Sequence, residues 1–378
     1  MAPSVADRGA VGSTLDLQGR RRGGRRGRRG HPPGWLEADF DLHIVDAVPV
    51  DGGVDRDADL WRVRDAGGED FAVKWTSGGT AGGLALTRAL VDAGVEGVVA
   101  PLPAEGGQLW SQRGGRRLVV LPWVDAPPGL DTEPGELAWA TFGRRLAAVH
   151  ATPLAAVPDL PPSDRQHRRL AGAVAALHHD IDRALRTNNA TAGHDDLVPA
   201  VLVDEALLRA LVDGLLAGAD DLHAAGSWAG HAPGVPCHAD PHLGNLLVGK
   251  DGNTWLLDWD DAVVGPREQD LLFVLDGGVL AFAPVTASQT EAFFTGYGPV
   301  ELDPHALAYH RSLRALEDLV DFALEVLHPE DHPRATREAA AGHLRANMTT
   351  GGLTEAALRS LHEVGALATI PTLRSPSA

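Results

Sequence analysis

The sequence predicts an α/β chain in which strands and helices are segregated (α+β), and three observations predict it. Residues 40–76 break into short β-prone runs divided by glycine-bearing turns. From about Leu137 onward the apolar residues recur at helical spacing. Within that helical region a tight hairpin signal stands at 245–258. A chain of 378 residues, 44% hydrophobic and 22% charged, is long enough for one large domain or two lobes with a substantial core.

The elements follow in order. Residues 1–33 hold the Gly/Arg run 19–30 and then Pro32-Pro33, a composition that cannot bury a core and predicts disorder. No apolar segment follows the paired arginines, so they do not form a twin-arginine export signal. Strands are expected at Phe40–Val45, Asp59–Val63 and Phe71–Trp75, with turns at 49–53, which contains Gly52 and Gly53, and at Ala66-Gly67-Gly68. A helix near Gly79–Ala93 follows, then a buried strand Leu118–Val124 that exits through Pro122 and Trp123. Beyond Pro127-Pro128-Gly129, a helix over Trp139–His150 aligns Leu137, Phe142, Leu146 and Val149. Two or three helices are expected over 165–225, including Leu207–Leu216 and broken by the polar stretch Asn188–Asp196. The helix Leu307–Leu327 repeats Leu313, Leu316, Val320, Ala323 and Leu327 on one face, and its Arg311, Arg314, Glu317, Asp318 and Asp321 are expected on a solvated face, the alternative for the acidic ones being to hold substrate ammonium groups. A last helix spans roughly Leu353–Leu367, and the tail Ser375–Ala378 is expected to fray.

Charge and composition narrow the function. The net charge is −18, yet residues 1–33 carry eight Arg and two Asp, so the remainder carries −24. A body that acidic repels nucleic acid and anionic membrane and attracts a cationic small molecule, although acidic surfaces also serve solubility. No apolar run approaches the roughly 18 residues of a membrane span. The single cysteine, Cys237, excludes an intrachain disulfide and fits a reducing, cytoplasmic compartment; beside His238 it reads as a small buried residue rather than a nucleophile. Of 33 basic residues only Lys74 and Lys250 are lysine. Lys250 belongs to a solvated turn. Lys74, retained on a strand against that arginine bias, calls for a chemical role.

The stretch 237–261 carries the chemistry. Asn245-Leu-Leu-Val and Thr254-Trp-Leu-Leu-Asp258 flank a turn at Lys250-Asp251-Gly252-Asn253, so the hairpin returns Asp258 to the end where Asn245 began, with Asp240 in the loop just upstream. Two carboxylates and an amide converging there suit a hard divalent cation with one carboxylate spared as a base. The spacing His238-x-Asp240-x4-Asn245, then Asp258 after a hairpin, is that of a kinase catalytic loop. A competing reading makes His238 and His242 zinc ligands of a hydrolase, and another treats the loop as purely structural.

With Ala239 between His and Asp, and Asp258-Trp259-Asp260 in place of Asp-Phe-Gly, the segment resembles the aminoglycoside phosphotransferase family. The continuation Asp260–Val274, Phe293–Gly298 and the helix from Leu307 look closest to its spectinomycin phosphotransferase branch. Phe71-Ala-Val-Lys74 resembles the kinase Val-Ala-Ile-Lys strand. The resemblance covers about 40–345 and implies a protein-kinase-like fold: a nucleotide-binding small lobe over 34–124, a catalytic and substrate-binding helical lobe over 125–378, and nucleotide in the cleft. It implies ATP as co-substrate and Mg²⁺ held by Asn245 and Asp258. Lys74 and the Gly52-Gly53 turn would meet the phosphates, and the backbone of Pro122, Trp123 and Val124 the adenine. Asp240 would be the base, His238 would fix the loop, and Asp270 would cap nearby backbone N–H groups. His150 is expected to pack or cap rather than react, and Asp260 to support the metal shell or substrate. One departure stands out: the helix near 79–93 lacks the Glu that pairs with the strand lysine, leaving Asp92 or Glu96 as substitutes. The implied acceptor is a hydroxyl of an aminoglycoside- or aminocyclitol-like compound. Alternatives are a metabolite alcohol (choline, a sugar, homoserine) or a nucleotide-binding pseudoenzyme.

Overall fold

The computed structural model describes residues 32–50, 58–188, 196–230 and 233–375. The Arg-rich run and the Gly52-Gly53 turn lie outside these residues, as do 189–195 and the last three positions of the tail.

The chain divides into two compact units: residues up to Gly78 with Pro101–Trp123, and Gly79–Ala100 with Val124–Ala378. In the first unit, helix α1 (Pro32–Phe40) precedes strands β1 (Ile44–Pro49), β2 (Ala58–Asp65) and β3 (Asp70–Thr76). Strands β4 (Ser111–Arg113) and β5 (Arg116–Pro122) complete an antiparallel sheet of order β1-β2-β3-β5-β4. The period-2 pattern of strands turns Trp61, Val63, Val73, Leu118 and Val120 to one face, where Leu36 and Phe40 of α1 cover them. Helix α1 corrects the sequence reading. Pro32 and Pro33 open it rather than end a disordered arm, because proline suits a first helical turn whose N–H groups have no helical partner. Phe40 therefore closes a helix, and the strand starts only at Ile44.

The second unit contains α2 (Ala81–Asp92), α3 (Glu136–His150), α4 (Arg165–Asn188), α5 (Leu197–Leu202) and α6 (Glu205–Ala224). Two short ribbons follow, β6 (Val235–Cys237) with β9 (Val263–Gly265) and β7 (Leu246–Val248) with β8 (Thr254–Leu256). Then come α7 (Glu268–Leu271), α8 (Ala287–Tyr297), α9 (Pro304–Leu327), α10 (Arg334–Asn347) and α11 (Leu353–Glu363). The sequence reading places 79–100 with the small lobe, whereas these residues cluster with the second unit. Glycine is the reason. A Cβ on Gly83 would lie 2.0 Å from the Trp259 carbonyl oxygen and one on Gly79 would lie 2.3 Å from Asp260, so only bare backbone lets α2 seat on the segment after β8.

Helix α9 is the axis of the unit. Asp303 accepts from the N–H groups of His305 (2.9 Å) and Ala306 (3.2 Å), and Pro304 follows it, which starts the helix one turn earlier than its apolar repeat suggests. Its Tyr309, Leu313, Leu316, Leu319, Val320 and Ala323 are buried among α4, α6, α10 and α11. The expected solvated face is thereby corrected. Packing on several sides buries Arg311 and Asp318 as well, and Arg311 donates to Ser360 Oγ (3.0 Å) and Asp276 (2.5 Å). A second core joins α3, α8 and the ribbons through Trp139, Phe142, Leu146 and Phe293. There Leu137 is 59% exposed, outside the buried stripe the spacing assigns to it.

Candidate active site

The β7–β8 hairpin forms in the register Leu246↔Leu256, Leu247↔Trp255, Val248↔Thr254. Gly252, at φ +80°, makes the turn that a side chain would strain. At the open end the Leu257 N–H donates to the Asn245 carbonyl (2.8 Å), tying the residue before Asp258 to Asn245. Buried Arg145 of α3 braces the ribbon from behind, its Nε donating to Thr254 Oγ1 (3.1 Å). Glu96, one of the two acids proposed to orient Lys74, supplies favourable charge to Arg145. The other, Asp92, accepts from Arg88 (2.5 Å) on an exposed turn of α2.

Asp240 is held from three directions. Asn245 Nδ2 donates to its Oδ2 (3.0 Å) and to its backbone carbonyl (2.9 Å). His242 Nε2 lies 3.3 Å from Oδ2, and Arg314 Nη1 of α9 donates to Oδ1 (2.9 Å). Burial pushes the Asp240 carboxyl up, but the His242 hydrogen bond and the Arg314 charge outweigh it, so the group sits below the usual carboxylate range. While the Asn245 amide nitrogen donates to Asp240, the Asn245 Oδ1 takes no hydrogen bond among the described residues. That oxygen and the Asp258 carboxylate, on a residue at φ +60°, are hard donors of the kind Mg²⁺ prefers. The residues present therefore fit the ion.

The loop bearing Asp240 is strained and pinned. Ala239 sits at φ +72°, left-handed backbone that costs a non-glycine residue on the order of 1 kcal/mol. Fully buried Asp270 holds it there, accepting from the N–H of His238 (2.8 Å) and of Ala239 (2.7 Å) and from His150 Nε2 (3.0 Å). The other His150 nitrogen meets the Tyr297 hydroxyl (2.7 Å), so His150 orients Asp270. His238, buried, donates from Nε2 to the Leu257 carbonyl (2.8 Å) while its Nδ1 accepts from the Asp240 N–H (3.2 Å). Burial holds its pKa below the ordinary value, opposed by the nearby charges of Asp270 and Asp240. His242 Nδ1 likewise accepts from the Gly244 N–H (2.9 Å). Both imidazoles thus direct their lone pair at backbone, and zinc ligation needs that lone pair. Cys237 is fully buried, its thiol pushed far up by burial and turned toward backbone carbonyls 3.5–3.7 Å away. It is inert.

Acidic groups surround the loop. Asp318 is pushed up to about 6 by burial, with Arg314 opposing and Glu317 reinforcing the shift. Asp261, though it reaches solvent, is likewise pushed up to about 6 by crowding out of water and by the charges of Asp240 and Glu317. Sequence reading missed Arg314 and Asp261. Charge at a helical spacing resembles any solvated face, and no local pattern told that α9 would bring Arg314 to Asp240 across 74 residues.

In the first unit, Lys74 stands on β3 between Leu60 of β2 and Val119 of β5. Pro122 closes β5, the Trp123 N–H donates to the Asp70 carbonyl (3.0 Å), and the Arg62 guanidinium lies 4.7 Å over the Trp123 ring. Val124 opens the second segment of the second unit. No helix among the described residues is long and apolar enough to cross a membrane.

Compared with known proteins, residues 47–316 match the model of the phosphotransferase enzyme family. No curated protein matches the chain. Among solved structures, a spectinomycin phosphotransferase in complex with ADP and spectinomycin superposes with a TM-score of 0.69 at 22% identity, covering 87% of this chain and 97% of that one. An aminoglycoside phosphotransferase from Alicyclobacillus acidocaldarius gives 0.54 at 17% identity, over 90% and 98% of the two chains. A thermostable mutant of another aminoglycoside phosphotransferase, in complex with AMP-PNP and hygromycin B, gives 0.52 at 16% identity, over 87% and 98%. The fold is the two-lobed, kinase-like one these enzymes share.

Proposed function

Since the chain belongs to the phosphotransferase enzyme family, we propose that it transfers the ATP γ-phosphoryl group to a hydroxyl of a cationic, aminoglycoside- or aminocyclitol-like small molecule. The observation that carries this reading is the Asp240 carboxylate, kept ionised and fixed by Asn245, His242 and Arg314 on a loop that Asp270 pins in a strained conformation. A base held in one rotamer orients the attacking hydroxyl and accepts its proton as the new P–O bond forms and the bond from the γ-phosphorus to departing ADP breaks. His238 locks the loop backbone and takes no part in proton transfer. Asn245 and Asp258 would hold Mg²⁺. When bound, that ion screens the phosphate oxygens and offsets charge in the transition state. Lys74 adds a point charge toward the phosphates, and the Pro122–Val124 backbone is proposed to meet the adenine.

The acceptor class rests on charge. The negative charges of Asp240, Glu317, Asp258 and Asp260 all bear on Asp261, and the folded body is strongly acidic, which favours an ammonium-bearing acceptor. Relatives of this fold bind spectinomycin and hygromycin B, compounds of that class. The test is acceptor-dependent ADP release with Mg-ATP across spectinomycin, several aminoglycosides and the alcohols choline, homoserine and a hexose. Turnover on an aminoglycoside or aminocyclitol supports the reading. Turnover confined to the metabolite alcohols moves the acceptor class, and ATP binding without turnover on any acceptor would favour a pseudoenzyme.

A further inference from the structure

Arg314 is the one α9 side chain with a hydrogen bond to the proposed base among the described residues, and its own placement is over-determined. Nη1 donates to Asp240 Oδ1 (2.9 Å), Nη2 lies 3.1 Å from Asp318 Oδ1, Glu317 stands 3.8 Å away, and the guanidinium lies 5.6 Å over the Phe273 ring. Glu317 is in turn engaged by Arg169 and by Gln166 Nε2 (3.0 Å) from α4. The guanidinium is planar and offers a forked set of donors, so one group can bridge Asp240 and Asp318 at once. Asp240 thereby has each oxygen tied to a different element: Oδ1 to the axial helix, Oδ2 to its own loop through Asn245 and His242.

We propose that Arg314 is a positioning residue for phosphoryl transfer: held by Asp318, it fixes the rotamer of Asp240 and so sets the angle at which the carboxylate meets the acceptor hydroxyl. The inference rests on Asp240 being the base. It assigns the α9 pair Arg314–Asp318 a task that neither the metal nor the nucleotide requires, so its signature is a loss of turnover rather than of binding. A misplacement of about 1 Å costs on the order of 100-fold in rate, which sets the scale for the variant.

The experiment compares Arg314→Ala, Arg314→Lys, Asp318→Asn and Asp240→Ala on the best acceptor, with circular dichroism confirming each fold. Arg314→Ala is expected to lower kcat by about 100-fold with little change in KM for ATP or acceptor. Millimolar guanidinium chloride should restore part of that loss, since the ion can enter the vacated site. Arg314→Lys should retain more turnover than Arg314→Ala, and Asp318→Asn, which frees the guanidinium, should lower kcat in the same sense. Wild-type kcat in folded Arg314→Ala, or a rise in acceptor KM alone, overturns the inference while an inactive Asp240→Ala leaves the base reading standing. An active Asp240→Ala overturns the base reading itself. If Arg314→Ala does not fold, Arg314→Lys and Asp318→Asn decide: unchanged kcat in both rejects the proposal.

Discussion

Asp270 never meets a substrate, yet the geometry of the loop hangs on its two carboxylate oxygens. Each accepts a buried backbone N–H, from His238 and Ala239, and one also accepts from His150. In Asp270→Asn an amide NH₂ would face a backbone donor, leaving a buried N–H unsatisfied and Ala239 without its hold. A loss of about 3 kcal/mol in stability is expected from chemical denaturation, together with a fall in turnover. Asp261 makes the second residue-scale prediction. With its carboxyl pushed up to about 6, it is neutral below that pH and charged above it. KM for a cationic acceptor should therefore fall as pH rises from about 5 to about 7, and the dependence should flatten in Asp261→Asn. A pH-independent KM in the wild type would remove Asp261 from acceptor binding.

At the scale of elements, the α2–Trp259 contact shows what local propensity leaves out. Alanine normally improves a helix interior over glycine by about 1 kcal/mol. At Gly83 the added Cβ would sit 2.0 Å from the Trp259 carbonyl, so Gly83→Ala is expected to lower Tm, by an overpacking cost of about 1–3 kcal/mol. A higher Tm would contradict the tight seat described here. The hairpin, strands β2, β3 and β5 and the apolar stripe of α9 were legible in the sequence, because each is written in a local period or a turn residue. The loop cap by Asp270 was legible only through family resemblance. What stayed hidden was non-local: α1, whose two prolines look like a break; the assignment of α2 to the second unit, which depends on what its glycines touch; and the burial of Arg311 and Asp318. Helix packing around α9 decides that burial, and the helix's own spacing does not record it.

At the scale of the molecule, the residues proposed for phosphoryl transfer are distributed over two compact units. Lys74 stands on the sheet of the first, and Asp240, Asn245 and Asp258 cluster at the hairpin of the second. The strongly acidic body and the family membership agree with small-molecule chemistry. In the proposed mechanism Asp240 is the base on which transfer depends, and not a residue needed only for folding or nucleotide binding. The most direct test of that role is Asp240→Asn, which keeps the size while removing the charge and turning one acceptor oxygen into an NH₂ donor, with Mg-ATP binding by calorimetry and acceptor-dependent ADP formation measured on the same sample. Binding close to that of the wild type is expected, with turnover lower by about two to four orders of magnitude. Turnover near the wild-type level with nucleotide bound would contradict that role.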